Sequence, residues 1–437
     1  MTIIDSRYTE GFIDVDSESA PAVEKERLYR LWEEGNWSAK SLDLTQDTID
    51  WREKHTDQQR AAILWNFAMF LDGEESVTVT LAPFVEAAPR AEDKIFLATQ
   101  IADEARHHVF FDRFMREMVG IGSDMKSTLT AIRPQLTWGY VQVFRELDVV
   151  ADRLRRSPRN LPLLAQGIVL YHLVIEGMLA HTGQHFLRDY AKRNGYFPSF
   201  GEGINMVARD ESRHIAFGIQ LLRELVTSSP ACKVAAISML NRVLPWAAGV
   251  FTPPDLDWSY ISRLGYSAEE VFTFGLRSIE TKLGRAGIAP SEVLALVKLG
   301  CSEPPSAQAR RVIALIESGM LGTDKAPFVS ERAMDTTFTS ICNVAAWTQT
   351  RQRPLSATIQ WHFDECEPRY LELDPQHAPQ VNVGQAPHPD LTLRSKAVDW
   401  LSIAKGSLSQ TQALLTQRLQ IQGDWKLALQ LPRVLPV

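Results

Sequence analysis

A five-residue pattern, D-E-x-R-H, occurs twice in this 437-residue chain and constrains its fold more than any other feature. The copies span residues 103–107 and 210–214. Both lie in long segments with apolar residues at three- and four-residue spacing, the period of an amphipathic helix. A glutamate and a histidine three residues apart on a helix share one face and can bind one ion. Two copies therefore predict two helices that face a shared metal site.

Bundles that hold two metal ions also need a lone glutamate on each of two further helices. Glu74 precedes Glu104 by 30 residues, which fits a helical hairpin. Glu176 precedes Glu211 by 35 residues, which fits a second hairpin. About 15 residues, or roughly 22 Å of helix, separate Glu74 from its turn, so the returning helix brings Glu104 to the same level. The longer interval between the hairpins predicts the single long crossover of a ferritin-like four-helix bundle.

The metal site predicted from this pattern combines four carboxylates with two imidazoles. The predicted ligands are Glu74, Glu104, His107, Glu176, Glu211 and His214. Four carboxylates balance the charge of two divalent ions, and this donor set suits Fe/Fe or Mn/Fe rather than a thiolate-bound metal. Glu75 is the alternative to Glu74, one residue along the helix. Asp103 and Asp210 are each expected to accept the free N–H of the opposite histidine.

The surroundings of Glu176 support its role as a metal ligand, whereas the other histidines near these motifs have simpler interpretations. Glu176 lies in the apolar run GIVLYHLVIEGMLA, where an unpaired carboxylate would be costly to bury, so a metal resolves that cost. Four further histidines nearby are interpreted as core or surface residues: His108, His172, His181 and His185.

The remaining pattern divides the chain into three parts. Residues 1–285 are predicted to form the di-metal bundle with extra helices, residues 286–327 a connecting region, and residues 328–437 a small α+β domain. Helices are predicted at 57–86, 91–119, 126–153, 160–194, 202–227, 231–248 and 267–285. In the last part, strands are predicted at 357–363, 369–373 and 418–422, and helices at 396–404 and 424–431.

Composition excludes several classes of protein. A net charge of −7 argues against a nucleic-acid partner, which would need a basic face. Four widely spaced cysteines without a C-x-x-C pair argue against a zinc ribbon and a disulfide framework. The polar N-terminal segment does not resemble a secretory signal, and residues 61–71, the apolar stretch judged longest, are too short to span a bilayer. The expected location is the cytoplasm.

At residues 25–285 the chain resembles the ribonucleotide reductase small-subunit superfamily, and within it the R2-like ligand-binding oxidases. The resemblance rests, in order, on Leu31-Trp32, LDLTQDTIDW, GEESVT, ADEARHH, YHLVIEG and RDESRH. It implies Glu104 and Glu211 as bridging ligands, a mixed Mn/Fe centre, a bound long-chain fatty acid and a homodimer. It also implies an ether bond between the oxygen of Tyr171 and the β-carbon of Val77, which lie near ligands Glu176 and Glu74.

Two features separate the chain from a reductase subunit. The radical tyrosine of that family lies seven residues after the first bridging glutamate, and here that residue is Phe111. The chain also continues into residues 328–432, which resemble the sterol-carrier-protein-2-like lipid-binding fold through ATIQWHF, PDLTLRS, DWLSIAKG and LQIQGDWKLALQL. An added lipid-carrier domain departs from the single-domain oxidases.

Three functions are compatible with this sequence. The leading hypothesis is an oxidase or oxygenase that activates dioxygen, draws electrons from a donor of unspecified kind and oxidises an apolar, fatty-acid-like substrate. The alternatives are a radical-generating reductase subunit, which Phe111 disfavours, and a non-catalytic lipid binder whose metals anchor a carboxylate head group.

Overall fold

The computed structural model describes residues 11–351 and 355–434. The described chain forms two compact units, of which the first ends at Ala289 and the second begins at Pro290. The first is helical, and the second combines helices with one sheet. The mainly α fold class, with a small α+β unit after the bundle, is confirmed.

The first unit consists of helices joined by short turns. Its α-helices are α1 (Lys25–Glu34), α2 (Thr45–Glu53), α3 (Asp57–Thr80), α4 (Ala82–Ala87), α5 (Ala91–Arg113), α6 (Met125–Ile132), α7 (Trp138–Arg156), α8 (Leu161–Ile168), α9 (His181–Asn194), α10 (Pro198–Ser228), α11 (Pro230–Ala247), α12 (Ser259–Ser262) and α13 (Ala268–Arg285). Two π-helical segments, Phe114–Val119 and Val169–Ala180, continue α5 and join α8 to α9.

The bundle is built from four long helical segments that carry the two repeats and the two lone glutamates. α3 packs against α5, and α10 packs against the π-helical segment Val169–Ala180. α6 and α7 lie in the crossover between these two hairpins. The predicted helix 57–86 divides after Leu81, because Pro83 lacks the N–H that would continue the helix and instead occupies the first turn of α4.

One helical segment of the bundle is more apolar than residues 61–71, so the estimate of the longest apolar stretch was wrong. Leu161–Asn194 is long and apolar enough to cross a membrane, yet 89% of its most apolar window is buried inside the protein. Burial among the other helices of the bundle accounts for this apolar character.

The second unit is a five-stranded sheet with helices. Its elements are α14 (Leu294–Lys298), α15 (Pro305–Glu317), α16 (Glu331–Gln349), β1 (Ala357–Phe363), β2 (Arg369–Asp374), β3 (His377–Val383), β4 (Leu391–Ser395), α17 (Ala397–Lys405), α18 (Gln410–Leu415), β5 (Leu419–Gly423) and α19 (Trp425–Val434). The strand order is β3-β2-β1-β4-β5, and only the β1–β4 pair is parallel. Trp361 of β1 packs against Phe338 of α16 and Trp400 of α17.

The predicted connecting region, residues 286–327, includes α14 and α15, and all but its first four residues lie in the second unit. Leu315 and Met320 are buried in the same apolar core as Trp361. These residues therefore belong to the second unit, whose core extends further toward the N-terminus than the composition of the sequence indicated.

Candidate dinuclear metal centre

The structure brings all six predicted ligands together in the buried middle of the first unit. Two overlapping groups have ligand atoms close enough to hold a metal ion. They are Glu74, Glu104, His107 and Glu211 in one group, and Glu104, Glu176 and His214 in the other. All six residues are buried, and the described part of the chain thus contains a glutamate–histidine cluster that could bind two metal ions.

The distances divide the four glutamates into two kinds. Glu104 places Oε2 3.7 Å from Nδ1 of His107 and Oε1 3.2 Å from Nδ1 of His214. Glu211 likewise places Oε1 3.5 Å from Nδ1 of His107 and Oε2 3.5 Å from Nδ1 of His214. A carboxylate with one oxygen toward each histidine is arranged to bridge two ions.

The other two glutamates each face one histidine. Glu74 Oε2 lies 3.6 Å from Nδ1 of His107, and Glu176 Oε1 lies 3.5 Å from Nδ1 of His214. Each of two bound ions would thus have one histidine and one terminal glutamate to hold it. Glu75, the alternative residue on α3, is only partly buried and belongs to neither group.

The two aspartates of the repeats lie behind the opposite histidines. Asp210 Oδ2 is 3.3 Å from Nε2 of His107, and Asp103 Oδ2 is 3.1 Å from Nε2 of His214. Because each Nε2–H donates to a carboxylate, the lone pair of Nδ1 is left to face the cluster. The expected pairing of each aspartate with the opposite histidine is the arrangement present in the structure.

Four further residues surround these aspartates and were not found by the sequence reasoning. Arg106 and Arg213 each donate to both aspartates. The indole N–H of Trp32 donates to Asp103 at 3.0 Å, and that of Trp37 donates to Asp210 at 2.7 Å. The arginine repeated in D-E-x-R-H is the signal that could have identified the first pair.

Buried atoms without partners provide the test of whether these residues suit a metal. Among the described residues, five ligand atoms lack a hydrogen-bond partner: Oε2 of Glu74, Glu176 and Glu211, and Nδ1 of His107 and His214. An isolated buried charge costs several kcal/mol even after relaxation of the protein. The cluster contains five buried ligand atoms without a hydrogen-bond partner, and two metal ions would give each of them a partner.

The electrostatics of the cluster also fit a site for positive ions. Burial raises the pKa of Glu74 and Glu176 well above the ordinary value. Burial opposes charge on His107 and His214 as well, but the surrounding carboxylates hold their pKa well above the usual range. The metal-free cluster therefore retains protons that metal ions would replace.

Metal loading is therefore expected to release protons and to weaken as the pH falls. Each displaced proton should lower the apparent affinity by about tenfold per pH unit. Calorimetry of Mn²⁺ or Fe²⁺ binding under anaerobic conditions, in buffers with different enthalpies of ionisation, measures the number released. Binding heats that do not depend on the buffer would contradict a proton-retaining cluster.

The π-helical segment explains how Tyr171 and Glu176 reach the same site. Five residues apart on an α-helix, they would point about 140° away from each other. In a π-helix the hydrogen bonds run from i to i+5, and the wider turn brings residues five apart closer to one face. Such segments are frequent at functional sites, and the apolar pattern of the sequence gave no sign of this one.

Tyr171 and Val77, the two residues expected to become joined, line one cavity next to the cluster. The Tyr171 hydroxyl donates to Oε1 of Glu104 at 2.7 Å. Burial, followed by the charges of the nearby glutamates, raises the pKa of Tyr171 well above the ordinary value, so the phenol keeps its proton. Phe111, at the position of the reductase radical tyrosine, is fully buried and stacks on Phe70 with ring centroids 5.1 Å apart.

Two glutamate–histidine motifs and two lone glutamates in one helical bundle define a dinuclear carboxylate protein of the ferritin-like class. Residues 23–239 match the ribonucleotide reductase small chain family. Residues 338–436 match the SCP-2 sterol transfer family. The first match lies within the helical unit and the second within the unit that contains the sheet.

Solved structures similar to the chain are R2-like ligand-binding oxidases. One, a single-substitution mutant with an aerobically reconstituted Mn/Fe cofactor, is 26% identical with a TM-score of 0.51, and the match covers 61% of this chain and 94% of that one. Another, from Sulfolobus acidocaldarius, is 22% identical with a TM-score of 0.51, and the match covers 62% of this chain and 93% of that one. The second likeness concerns the fold alone.

Proposed function

We propose that the protein is a dioxygen-activating oxidase or oxygenase with an Mn/Fe or Fe/Fe centre and an apolar, lipid-like substrate. The observation that carries this proposal is a buried ligand cluster that forms part of the wall of an apolar cavity. The cavity contains about 600 Å³ of unfilled space, part of it open to solvent. Its polar wall consists largely of four of the proposed ligands: Glu74, Glu104, Glu176 and Glu211.

The rest of the cavity wall indicates the class of substrate. Apolar side chains make up much of the remaining wall: Met69, Phe70, Phe144, Ile175, Leu179 and Phe251. A ligand with one polar end at the metals and a hydrocarbon chain along these residues would match both parts of the wall. A fatty acid or a similar amphiphile has this chemistry.

The residues of the site have separate tasks in this proposal. When bound, the metal ions would supply electrons to dioxygen and provide an oxidising centre. Glu104 and Glu211 would fix the separation of the two ions, while Asp103 and Asp210 orient the histidines. The apolar wall would keep bulk water away from the reacting atoms.

Oxygen consumption tests this function directly. Protein loaded anaerobically with Mn²⁺ and Fe²⁺ should take up dioxygen, and a reductant plus a long-chain fatty acid should sustain the uptake. Ala180→Phe is a matched variant, because Ala180 lines the cavity but contributes no ligand atom. It should keep both metals and lose the fatty-acid-dependent uptake. Loaded protein that consumes no dioxygen would contradict the proposal.

The two alternative functions make different predictions. A reductase subunit would store a radical on a tyrosine near the first bridging glutamate, whereas Phe111 has no oxidisable hydroxyl. Absence of reductase activity with any large subunit is therefore expected. A non-catalytic lipid binder would retain fatty acid without sustained oxygen uptake, so the same oxygen measurement distinguishes it from an oxidase.

We also propose that the second unit binds lipid. Its match to the SCP-2 sterol transfer family supports this proposal. A fragment of residues 290–437 should take up a fluorescent fatty acid or sterol. It should fold better than residues 328–437, because the shorter fragment lacks Leu315 and Met320 of the core. A well-folded 290–437 fragment that takes up neither probe would count against lipid binding.

A further inference from the structure

Gln100 lies between Tyr171 and Glu176 and is fully buried. Its side-chain nitrogen Nε2 is 2.8 Å from Oε1 of Glu176 and 3.1 Å from the Tyr171 hydroxyl. Its oxygen Oε1 is 3.1 Å from Nε2 of His172. Gln100 is one helical turn before Glu104 on α5, so the amide faces the same side as the metal ligands.

The chemistry of these contacts fixes the direction of every hydrogen bond. A carboxylate that binds a metal can only accept, so the amide NH₂ of Gln100 must face Glu176. The amide oxygen then faces His172, whose Nε2 must carry the proton. The same NH₂ donates to the Tyr171 oxygen, and this leaves the Tyr171 O–H free to point toward Glu104.

Close packing of the backbone holds His172 where its Nε2–H can donate to the Gln100 oxygen. A β-carbon at Gly218 would lie 2.1 Å from the β-carbon of His172, so only glycine lets α10 approach so closely. Burial, followed by the positive charge of His214, lowers the pKa of His172 to about 3, so the ring is neutral with a single N–H. Nδ1 of His172 interacts with the Ile168 carbonyl but makes no hydrogen bond of ordinary geometry among the described residues.

We propose that Gln100 and His172 are positioning residues for Tyr171: the N–H of His172 orients the Gln100 amide, and Gln100 holds the phenolic oxygen so that its hydrogen points at Glu104. This inference rests on the proposed function, because the oxidising centre would have to form the Tyr171–Val77 bond that the family resemblance implies. Gln100 and His172 together fix the direction of the lone pairs on the Tyr171 oxygen, which must form the new bond. Neither residue binds a metal ion.

The tautomer of His172 tests the orientation without any redox chemistry. Nitrogen NMR of protein loaded with diamagnetic Zn²⁺ and labelled at histidine should show His172 as a neutral ring protonated at Nε2, with His172→Gln identifying the resonance. A proton on Nδ1, toward the Ile168 carbonyl one turn earlier, would reverse the Gln100 amide and overturn the proposal. Ultraviolet resonance Raman spectra should show that the Tyr171 hydroxyl both donates and accepts a hydrogen bond. Gln100→Leu should remove only the signature of the accepted hydrogen bond.

The rate of Tyr171–Val77 bond formation tests the consequence. Gln100→Leu and His172→Phe should keep the wild-type metal content and slow bond formation by about 10- to 100-fold. His172→Gln, which retains an N–H donor, should restore most of the rate. His55→Phe is the control, because His55 is also buried but bonds to Tyr190, outside the metal cluster.

The possible outcomes separate this inference from the proposed function. Bond formation at the wild-type rate in Gln100→Leu, with full metal content, would overturn the positioning role. If the wild-type protein forms no such bond, the proposed bond itself is wrong, while the tautomer and Raman signatures still decide whether Gln100 and His172 orient Tyr171.

Discussion

Glu104→Ala is expected to abolish loading of the dinuclear centre. Glu104 is the residue that belongs to both groups of ligand atoms, with one oxygen toward each histidine. Its loss removes one ligand oxygen from each ion. The remaining carboxylates then repel one another, with no Glu104 carboxylate to bridge the two ions. Metal analysis after anaerobic loading should find about two ions per wild-type chain and one or none in the variant.

Thermal unfolding gives a second readout of the same variant. Metal at about 100 times its dissociation constant should stabilise the wild-type fold by about 2.7 kcal/mol. Glu104→Ala should show little of this metal-dependent stabilisation. Glu211→Ala should behave in the same way, because Glu211 also faces both histidines.

Glu75→Ala is the matched control for these variants. Glu75 is an adjacent carboxylate on the same helix as Glu74, but it lies outside the cluster. It should load both ions and be stabilised by them like the wild type. If Glu75→Ala loses metal while Glu74→Ala keeps it, the assignment of the ligand on α3 is wrong by one residue.

Metal and air should join Tyr171 to Val77 in the wild-type protein. An oxygen–carbon bond forms, while the O–H of Tyr171 and the tertiary C–H of Val77 break. Two protons and two electrons leave, and dioxygen accepts the electrons. Breaking an unactivated C–H bond requires a strongly oxidising centre, so this product would report oxygen activation within the protein itself.

Peptide mass spectrometry measures the bond. The two peptides should appear linked and lighter by two hydrogens, and the link should be absent from Tyr171→Phe and from protein kept without air. Tyr140→Phe is a suitable control, because Tyr140 lines the same cavity but donates its hydroxyl to the Met69 carbonyl at 3.0 Å. Only unlinked peptides from fully loaded, oxygenated protein would contradict this chemistry.

The local spacing of residues carried most of the information about the site. The D-E-x-R-H repeats and two lone glutamates suffice to predict a shared site, since helical geometry converts residue spacing into shared faces. Trp32 and Trp37 were not found, because their contacts with Asp103 and Asp210 span 71 and 173 residues of sequence. Such distant pairings depend on packing, to which no local pattern corresponds.

Two elements, one in each unit, were not predicted, for physical reasons that differ between them. β3 was missed because Pro379 and polar residues interrupt its pattern, which a strand at the edge of a sheet tolerates. The π-helical turn at Val169–Ala180 was missed because its residues are apolar on every side. A fully buried helix has no polar face from which its period could be read.

Two metal ions are expected to occupy the cluster between His107 and His214. Anomalous diffraction from crystals of loaded protein, measured at the manganese and iron absorption edges, would locate them. Two peaks are expected, one beside Nδ1 of each histidine, with Glu104 and Glu211 between them. A single peak, or metal bound outside these six residues, would contradict this expectation.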